Sequence, residues 1–167
     1  NNAGTGHSAL CELNYTPQRP DGSIATESAI AVNEQFQVSR QFWTYLVTHK
    51  MVPNPQSFIH ASPHMSFVWG QENVECLRSR FEALKDHPLF LGLEFSEDPM
   101  TIASWAPLLI DGRHKGEPLA ATRFASGSDV DFGSLSRSLL ERLSSAGARI
   151  MSDHRVTSLT KTPSGDG

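Results

Sequence analysis

The stretch PHMSFVWGQENVECLRSRFEALK, residues 63–85, changes its hydrophobic period part-way and so decides the fold class. In its first part Met65, Phe67 and Trp69 occupy alternate positions, which predicts a β-strand over 64–69. In its second part apolar residues recur every three or four positions, which predicts a helix over 71–85; they are Val74, Leu77, Phe81 and Leu84. A strand followed at once by an amphipathic helix indicates the α/β class, as an α+β mix in which helices cover a mixed sheet.

The same two periods recur on both sides of this stretch. Upstream, Val32, Phe36, Trp43 and Val47 predict a long helix over 24–49, with Phe42, Tyr45 and Leu46 widening its buried face. The β-prone run 57–60 predicts a strand in the same sheet as 64–69. Downstream we expect strands at 91–95, 119–124, 148–153 and 155–160, a short helix capped by Ser96, and a helix over about 132–146 that ends at Gly147. Residues 1–23 and 126–128 are typical of irregular segments and turns.

Composition excludes some classes of function. A net charge of -4 without a cluster of Lys and Arg argues against nucleic acid as a partner. No apolar run approaches the roughly 20 residues that cross a bilayer. Cys11 and Cys76 stand apart from any redox or zinc motif, so we expect free thiols. No His-x-x-x-His or Glu-x-x-His pair lies on a predicted helix and no carboxylates cluster beside the seven histidines, so we expect no metal site.

Three features could carry chemistry, each with an ordinary alternative. Gly4-Thr5-Gly6 would let the main chain approach a phosphate or a flavin ring, although such a loop is more often a turn. His64 begins a strand directly after a proline, where an imidazole could act as a base or simply bond a backbone carbonyl. Arg40 and Arg123 stand among apolar neighbours, where an arginine can bind a carboxylate or pair with a structural Asp or Glu. A complete Gly-x-Gly-x-x-Gly fingerprint is absent, so the chain holds no dinucleotide-binding unit of its own.

Longer strings in the chain resemble the bacterial malate:quinone oxidoreductases. They cover most of the sequence in the right order, which makes them more specific than any short motif. The strings are NNAGTGHSAL (1–10), ELNYTPQ (12–18), SRQFW (39–43), PHMSFVWG (63–70), WAPL (105–108) and AATR (120–123). One departure is Ser128, where the family pattern has Thr, and this change keeps the hydroxyl.

The resemblance implies that the chain is an internal fragment of a two-domain flavoprotein with an FAD domain of the glutathione-reductase type. Residues 1–20 would be the flavin-contacting loop of that domain. Residues 21–126 would form part of the substrate-binding domain, and 127–167 would return to the FAD domain with a helix and the start of a hairpin. By the same resemblance the isolated fragment should lack FAD, be inactive, and associate with itself through exposed apolar patches.

The resemblance also implies an activity and roles for residues. The parent enzyme would oxidise (S)-malate to oxaloacetate and pass electrons through FAD to a membrane quinone, as a peripheral protein on the cytoplasmic face of the bacterial inner membrane. Gly4, Thr5, Gly6 and His7 would line the flavin, His64 or His7 would be the catalytic base, and Arg123 with Arg40 would bind the substrate. Two alternatives remain: a related flavoenzyme for another 2-hydroxy acid, such as 2-hydroxyglutarate, and a non-catalytic folded module.

Overall fold

A computed structural model of the chain describes residue 6 and residues 8–161. The predicted mixture of helices and strands is confirmed. The described part contains the helices α1 (Glu27–Thr48), α2 (Gln71–Leu84), α3 (Pro99–Trp105) and α4 (Phe132–Ser145). Its strands are β1 (Ile59–Ala61), β2 (His64–Trp69), β3 (Leu93–Ser96), β4 (Leu119–Phe124) and β5 (Ser128–Val130). None of these helices is long and apolar enough to cross a membrane.

A three-stranded sheet with the order β2-β4-β3 forms the centre of the fold, and a helix packs on each of its faces. Successive side chains of a strand point to opposite faces. Ala120 therefore packs with Val74 and Leu77 of α2, whereas its neighbour Ala121 packs with Ile102 of α3. This division decides which residues of β2 and β4 can share a site.

The strands β1 and β2 belong to different sheets, so the predicted single sheet is wrong. β2 pairs with β4, while β1 pairs with β5 in a separate two-stranded sheet. Between them the antiparallel ribbon bends at residues 62–63 on one strand and 125–127 on the other. Pro63 has no N–H to donate at this point, which interrupts the ladder. The prediction of a mixed sheet is also wrong, because every strand pair in the described residues is antiparallel.

Helix α1 joins two hydrophobic cores. Its first half packs Ala29 against a cluster that includes Phe90. Its second half packs Leu46 against a cluster that includes Phe58 of the segment before β1. The predicted widening of the buried face is wrong at Phe42 and Tyr45, which are 53% and 49% exposed. Both lie on the side of α1 that no other described element covers.

The last described segment does not form the two strands that its pattern predicts. Helix α4 ends at Gly147, whose φ of 89° is the left-handed conformation expected there, and the Ala148 N–H donates to the Leu143 carbonyl. Residues 148–161 then run exposed without strand pairing. Strand-prone sequence needs a partner, since an isolated hairpin is at best marginally stable, and none of the described strands pairs with these residues.

Two aspartates cap the N-termini of α3 and α4. Asp98 accepts hydrogen bonds from the Met100 and Thr101 N–H groups at the start of α3, and Asp131 caps α4 in the same way. Ser96, the predicted cap of α3, instead accepts a hydrogen bond from the Asp98 N–H at 3.0 Å. Asp98 occupies the N-cap position of α3 because it directly precedes Pro99, and proline is favoured as the first residue of a helix.

These caps should make stability depend on pH in the acid range. Hydrogen bonds from the hydroxyls of Thr101 and Ser134 hold the pKa values of Asp98 and Asp131 below the ordinary value. A lowered folded-state pKa stabilises the fold above the unfolded pKa of about 4, and that contribution is lost as the pH falls through the folded value. We expect urea unfolding to show this acid loss, and the variant with Asp98→Asn and Asp131→Asn to show less of it. Asp111→Asn, a change at an exposed aspartate that caps none of the described helices, is the control and should keep the acid loss of the unmodified protein. An equal acid loss of stability in the unmodified protein and in the double variant would contradict the prediction.

Candidate active site

The bend of the ribbon brings three distant parts of the chain to one carbonyl group. The Ser128 carbonyl accepts a hydrogen bond from the Gly6 N–H at 2.9 Å and another from His64 Nε2 at 3.0 Å. Gly6 belongs to the N-terminal glycine segment, and His64 begins β2. Gly4, Thr5 and His7 lie outside the described residues, so only Gly6 of that segment can be placed.

The bond to Ser128 fixes the tautomer of neutral His64. A carbonyl oxygen can only accept, so Nε2 must carry the ring hydrogen, and Nδ1 then holds a lone pair. Nδ1 is buried and has no hydrogen-bond partner among residues 6 and 8–161. The geometry therefore leaves His64, which is 7% exposed, with an unused proton-accepting atom.

Two glycines allow this close packing. A Cβ at Gly127 would meet the Ser62 carbonyl oxygen and would lie 2.5 Å from Cδ2 of the His64 ring. A Cβ at Gly6 would lie 2.7 Å from the Phe36 ring and 2.9 Å from the Ser128 carbonyl oxygen. Each distance is far below van der Waals contact, so both positions require glycine for space.

A small cavity opens beside the 126–128 turn. It has a volume of about 160 Å³ and lies between the N-terminal segment, α1 and the turn. Its lining includes Ser8, Asn33, Phe36, Arg40, Phe124 and Ser128. Arg40 is exposed, and its Nη1 donates to Gln37 Oε1 at 3.3 Å. No carboxylate of the described chain pairs with Arg40, so its charge is available to an anion at this cavity.

Arg123 does not join this group. In the β2–β4 register Met65 lies opposite Arg123, whereas His64 lies opposite Phe124. The side chains of His64 and Arg123 therefore point to opposite faces of the sheet. Arg123 lies 5.9 Å from the Trp105 ring centre and pairs with Glu94, its Nη1 lying 3.4 Å from Oε1. The structure thus brings Gly6 and His64 together at Ser128 and places Arg40 at the cavity beside that residue, whereas Arg123 lies on the other face of the sheet from His64.

The sequence prediction missed three polar side chains that hold the segment after Gly6. Asn33 Nδ2 donates to the Ser8 carbonyl at 2.8 Å, and Ser66 Oγ donates to the Cys11 carbonyl at 2.8 Å. Arg80 Nη2 donates to the Ala9 carbonyl at 2.8 Å and to the Leu10 carbonyl at 3.4 Å. Arg80 could have been recognised, because it stands three residues after Leu77 and four before Leu84, on the apolar face of the helix.

Burial shifts the proton affinities in this region. Arg80 is 2% exposed, and burial lowers the pKa of its guanidinium, although nearby Cys11 and Glu12 act in the opposite direction. Burial also raises the pKa of the Cys11 thiol to about 11. A thiol with so high a pKa is protonated at neutral pH and a poor nucleophile, as expected of a structural cysteine.

Comparison with known proteins identifies the family of this chain. The family model described as malate:quinone oxidoreductase matches residues 1–166. The chain belongs to the malate:quinone oxidoreductase family. It is 54% identical over 165 residues to a protein named probable malate:quinone oxidoreductase from Geobacillus sp. strain WCH70, and 56% identical over 165 residues to one from Leifsonia xyli subsp. xyli strain CTCB07. These alignments cover 99% of the chain but 32% and 34% of the relatives, so the chain spans about a third of their length.

The match to the malate:quinone oxidoreductase family covers both the glycine segment and the ribbon bend. A Bacillus thuringiensis (strain Al Hakam) relative is 54% identical over 165 residues, again across 99% of this chain. Both Gly6 and Ser128, which share a hydrogen bond, lie inside the matched region of the family model. Both partners of this contact therefore lie within the part of the chain that the family model matches.

Proposed function

We propose that the complete protein oxidises (S)-malate to oxaloacetate and passes the electrons through FAD to a quinone. The observation that carries this proposal is His64, whose Nδ1 is buried and unpaired among the described residues in a member of this family. A 2-hydroxy acid can lose hydride from C2 only as its hydroxyl proton is removed, which requires a base. His64 is that base in this proposal, with His7 as the alternative.

The described residues fit an FAD site in one respect that can be checked. Gly6 packs with no room for a Cβ against the Phe36 ring and the Ser128 carbonyl oxygen, and glycine is the residue that lets a main chain lie this close to its surroundings, as a cofactor-contacting loop would need. Gly4, Thr5, Gly6 and His7 would contact the cofactor. FAD, when bound, accepts the hydride and relays electrons to the quinone. We assign residues 1–20 and 127–167 to an FAD domain of the glutathione-reductase type, and residues 21–126 to the substrate domain.

His64 is suited to receive and hold the proton of the substrate hydroxyl. Nδ1 would accept the proton, while Nε2 keeps its hydrogen bond to the Ser128 carbonyl. The partial negative charge on that carbonyl oxygen stabilises the imidazolium that forms, and the fixed bond keeps the ring from rotating. The same bond that defines the tautomer thus orients the base.

Arg40 is the better placed of the two arginines to bind a substrate carboxylate near His64. It lines the same cavity as Ser128, and it has no acidic partner in the described chain. An engineered cavity of about 150 Å³ holds benzene, so a cavity of about 160 Å³ has room for a four-carbon acid. Arg123 pairs with Glu94 on the opposite face of the sheet from His64, so it would bind the second carboxylate only if this part of the chain rearranged.

Membrane attachment and association belong to the same proposal. The complete protein would bind peripherally to the cytoplasmic face of the bacterial inner membrane, where its quinone lies. Leu140, Leu143, Ile150 and Met151 are about half exposed in this chain. We propose that other parts of the complete protein cover them, and that the isolated chain would self-associate through them.

Steady-state turnover of the complete protein tests the proposed function. Malate, 2-hydroxyglutarate and lactate are supplied in turn with a soluble quinone analogue, and reduction of the quinone is followed. We expect malate to give the highest kcat/KM by at least about tenfold, since a site that fits one dicarboxylate disfavours one with an extra methylene. A higher kcat/KM with 2-hydroxyglutarate would replace malate by that substrate, and no turnover with any hydroxy acid would contradict the proposal.

A further inference from the structure

The backbone from Ser8 to Cys11 is held by side chains rather than by secondary structure. Each of its four carbonyl groups accepts a hydrogen bond from Asn33, Arg80 or Ser66. These three donors, here called the clamp, come from α1, α2 and β2 respectively, and each is 5% exposed or less. We propose that the clamp residues are positioning residues that hold Gly6 at a fixed place relative to His64, an inference that rests on the proposed function.

The clamp meets a physical need of this segment. A buried carbonyl without a partner costs free energy, and these four carbonyls belong to a stretch with neither helix nor strand bonding. Ala9 shows that the path is imposed, because its φ of 56° is in the left-handed region that a residue with a Cβ rarely adopts. Ala9 is also completely buried, so its surroundings hold it in that conformation.

The clamp connects the glycine segment to the strand that carries the base. Ser66 lies two residues after His64 on β2, so both side chains point to the same face of the sheet. Ser66 holds Cys11 at one end of the segment, and His64 meets Gly6 through Ser128 at the other end. Two contacts at separate points fix both position and orientation. A loss at Ser66 or Arg80 should therefore move Gly6 relative to His64.

Arg80 is the central member, and its geometry is specific to arginine. Its Nε donates to the Thr16 hydroxyl at 2.9 Å while Nη2 reaches the Ala9 and Leu10 carbonyls. The planar guanidinium makes these bonds in two directions at once, which a single lysine ammonium on a flexible stem does not reproduce. Asn33 and Ser66 each contribute one bond to the segment at 2.8 Å.

The test uses the complete protein with two clamp variants and two matched controls. Arg80→Met removes the whole fork at similar length, and Ser66→Ala removes one hydroxyl with little change in volume. Ser79→Ala is the control for Ser66→Ala, because the exposed Ser79 hydroxyl donates to the Glu75 carbonyl of its own helix. Ile102→Ala is the control for Arg80→Met, because Ile102 is fully buried on the opposite face of the sheet. For each protein we would measure the melting temperature, the dissociation constant for FAD, kcat and KM.

A positioning role predicts a split between these quantities. We expect Arg80→Met to lower kcat by about a hundredfold and Ser66→Ala by about tenfold, with weaker FAD binding and little change in KM. Ile102→Ala should lower the melting temperature alone, and Ser79→Ala should change nothing. If Arg80→Met does not fold, Ser66→Ala decides.

Clamp variants that lose thermal stability while keeping kcat and FAD affinity would overturn the inference and leave the proposed function standing. An unmodified complete protein that binds no flavin would overturn both.

Discussion

Replacing His64 by Gln in the complete protein should lower kcat for malate oxidation by about a hundredfold to ten-thousandfold. Gln has no basic nitrogen, so the proton of the substrate hydroxyl would have to leave without the group that Nδ1 provides. The Gln amide can still donate to the Ser128 carbonyl, which preserves the bond seen at 3.0 Å and should preserve folding. Pre-steady-state kinetics with saturating malate measures the loss at the chemical step.

His60 supplies the matched control for this experiment. It is exposed on β1, four residues before His64, and its backbone pairs with Asp129. His60→Gln should leave kcat within about twofold of the unmodified protein, because surface substitutions away from the site have small effects. Near-normal turnover by His64→Gln would remove His64 from the role of base and leave His7 as the candidate.

Gly127→Ala should impair both folding and activity. The added Cβ would collide with the Ser62 carbonyl oxygen, a backbone atom, and with the ring of His64. Inserting a methyl group into a packed site costs about 1–3 kcal/mol in the free energy of unfolding. Relief requires either the bend to open or the ring to move, and moving the ring by about 1 Å should lower kcat by roughly a hundredfold.

Gly133→Ala provides the control for a glycine substitution in the same part of the chain. Gly133 lies in the first turn of α4, where the nearest contact of an added Cβ would be Asp131 Oδ1 at 3.1 Å. A helix favours Ala over Gly by up to about 1 kcal/mol, which offsets the tight contact. Urea unfolding and kcat should therefore change little. Equal effects at both positions would show that the close packing against His64 has no special consequence.

The periodic part of the fold could be predicted from sequence because it depends on local pattern. The helix expected over 71–85 is Gln71–Leu84, and the strand expected over 119–124 is Leu119–Phe124. The bend between β1 and β2 could not be predicted this way, since it depends on two partner strands that lie far along the chain, β4 and β5. For the same reason Ser128 was assigned to a turn, although it begins β5. Residues 148–161 show the converse, a strand pattern without a partner.

The candidate site was predicted by residue type but not by arrangement. Gly6 and His64 were both recognised, yet their shared contact at Ser128 depends on the bend. Arg123 was paired with Arg40 because both stand among apolar neighbours, and only the register shows that Arg123 faces the other side of the sheet from His64. Arg80 was overlooked because a buried charge is rare, and its purpose is visible only when the carbonyls it binds are in place.

Anaerobic mixing of the complete protein with malate tests the central claim most directly. The claim is that the site around His64 and Gly6 delivers hydride from a 2-hydroxy acid to a flavin. The account predicts that the protein absorbs at about 450 nm, that malate bleaches this band, and that bleaching in His64→Gln is slower by at least about a hundredfold. A protein without this band, or a band that malate leaves unchanged, would contradict it.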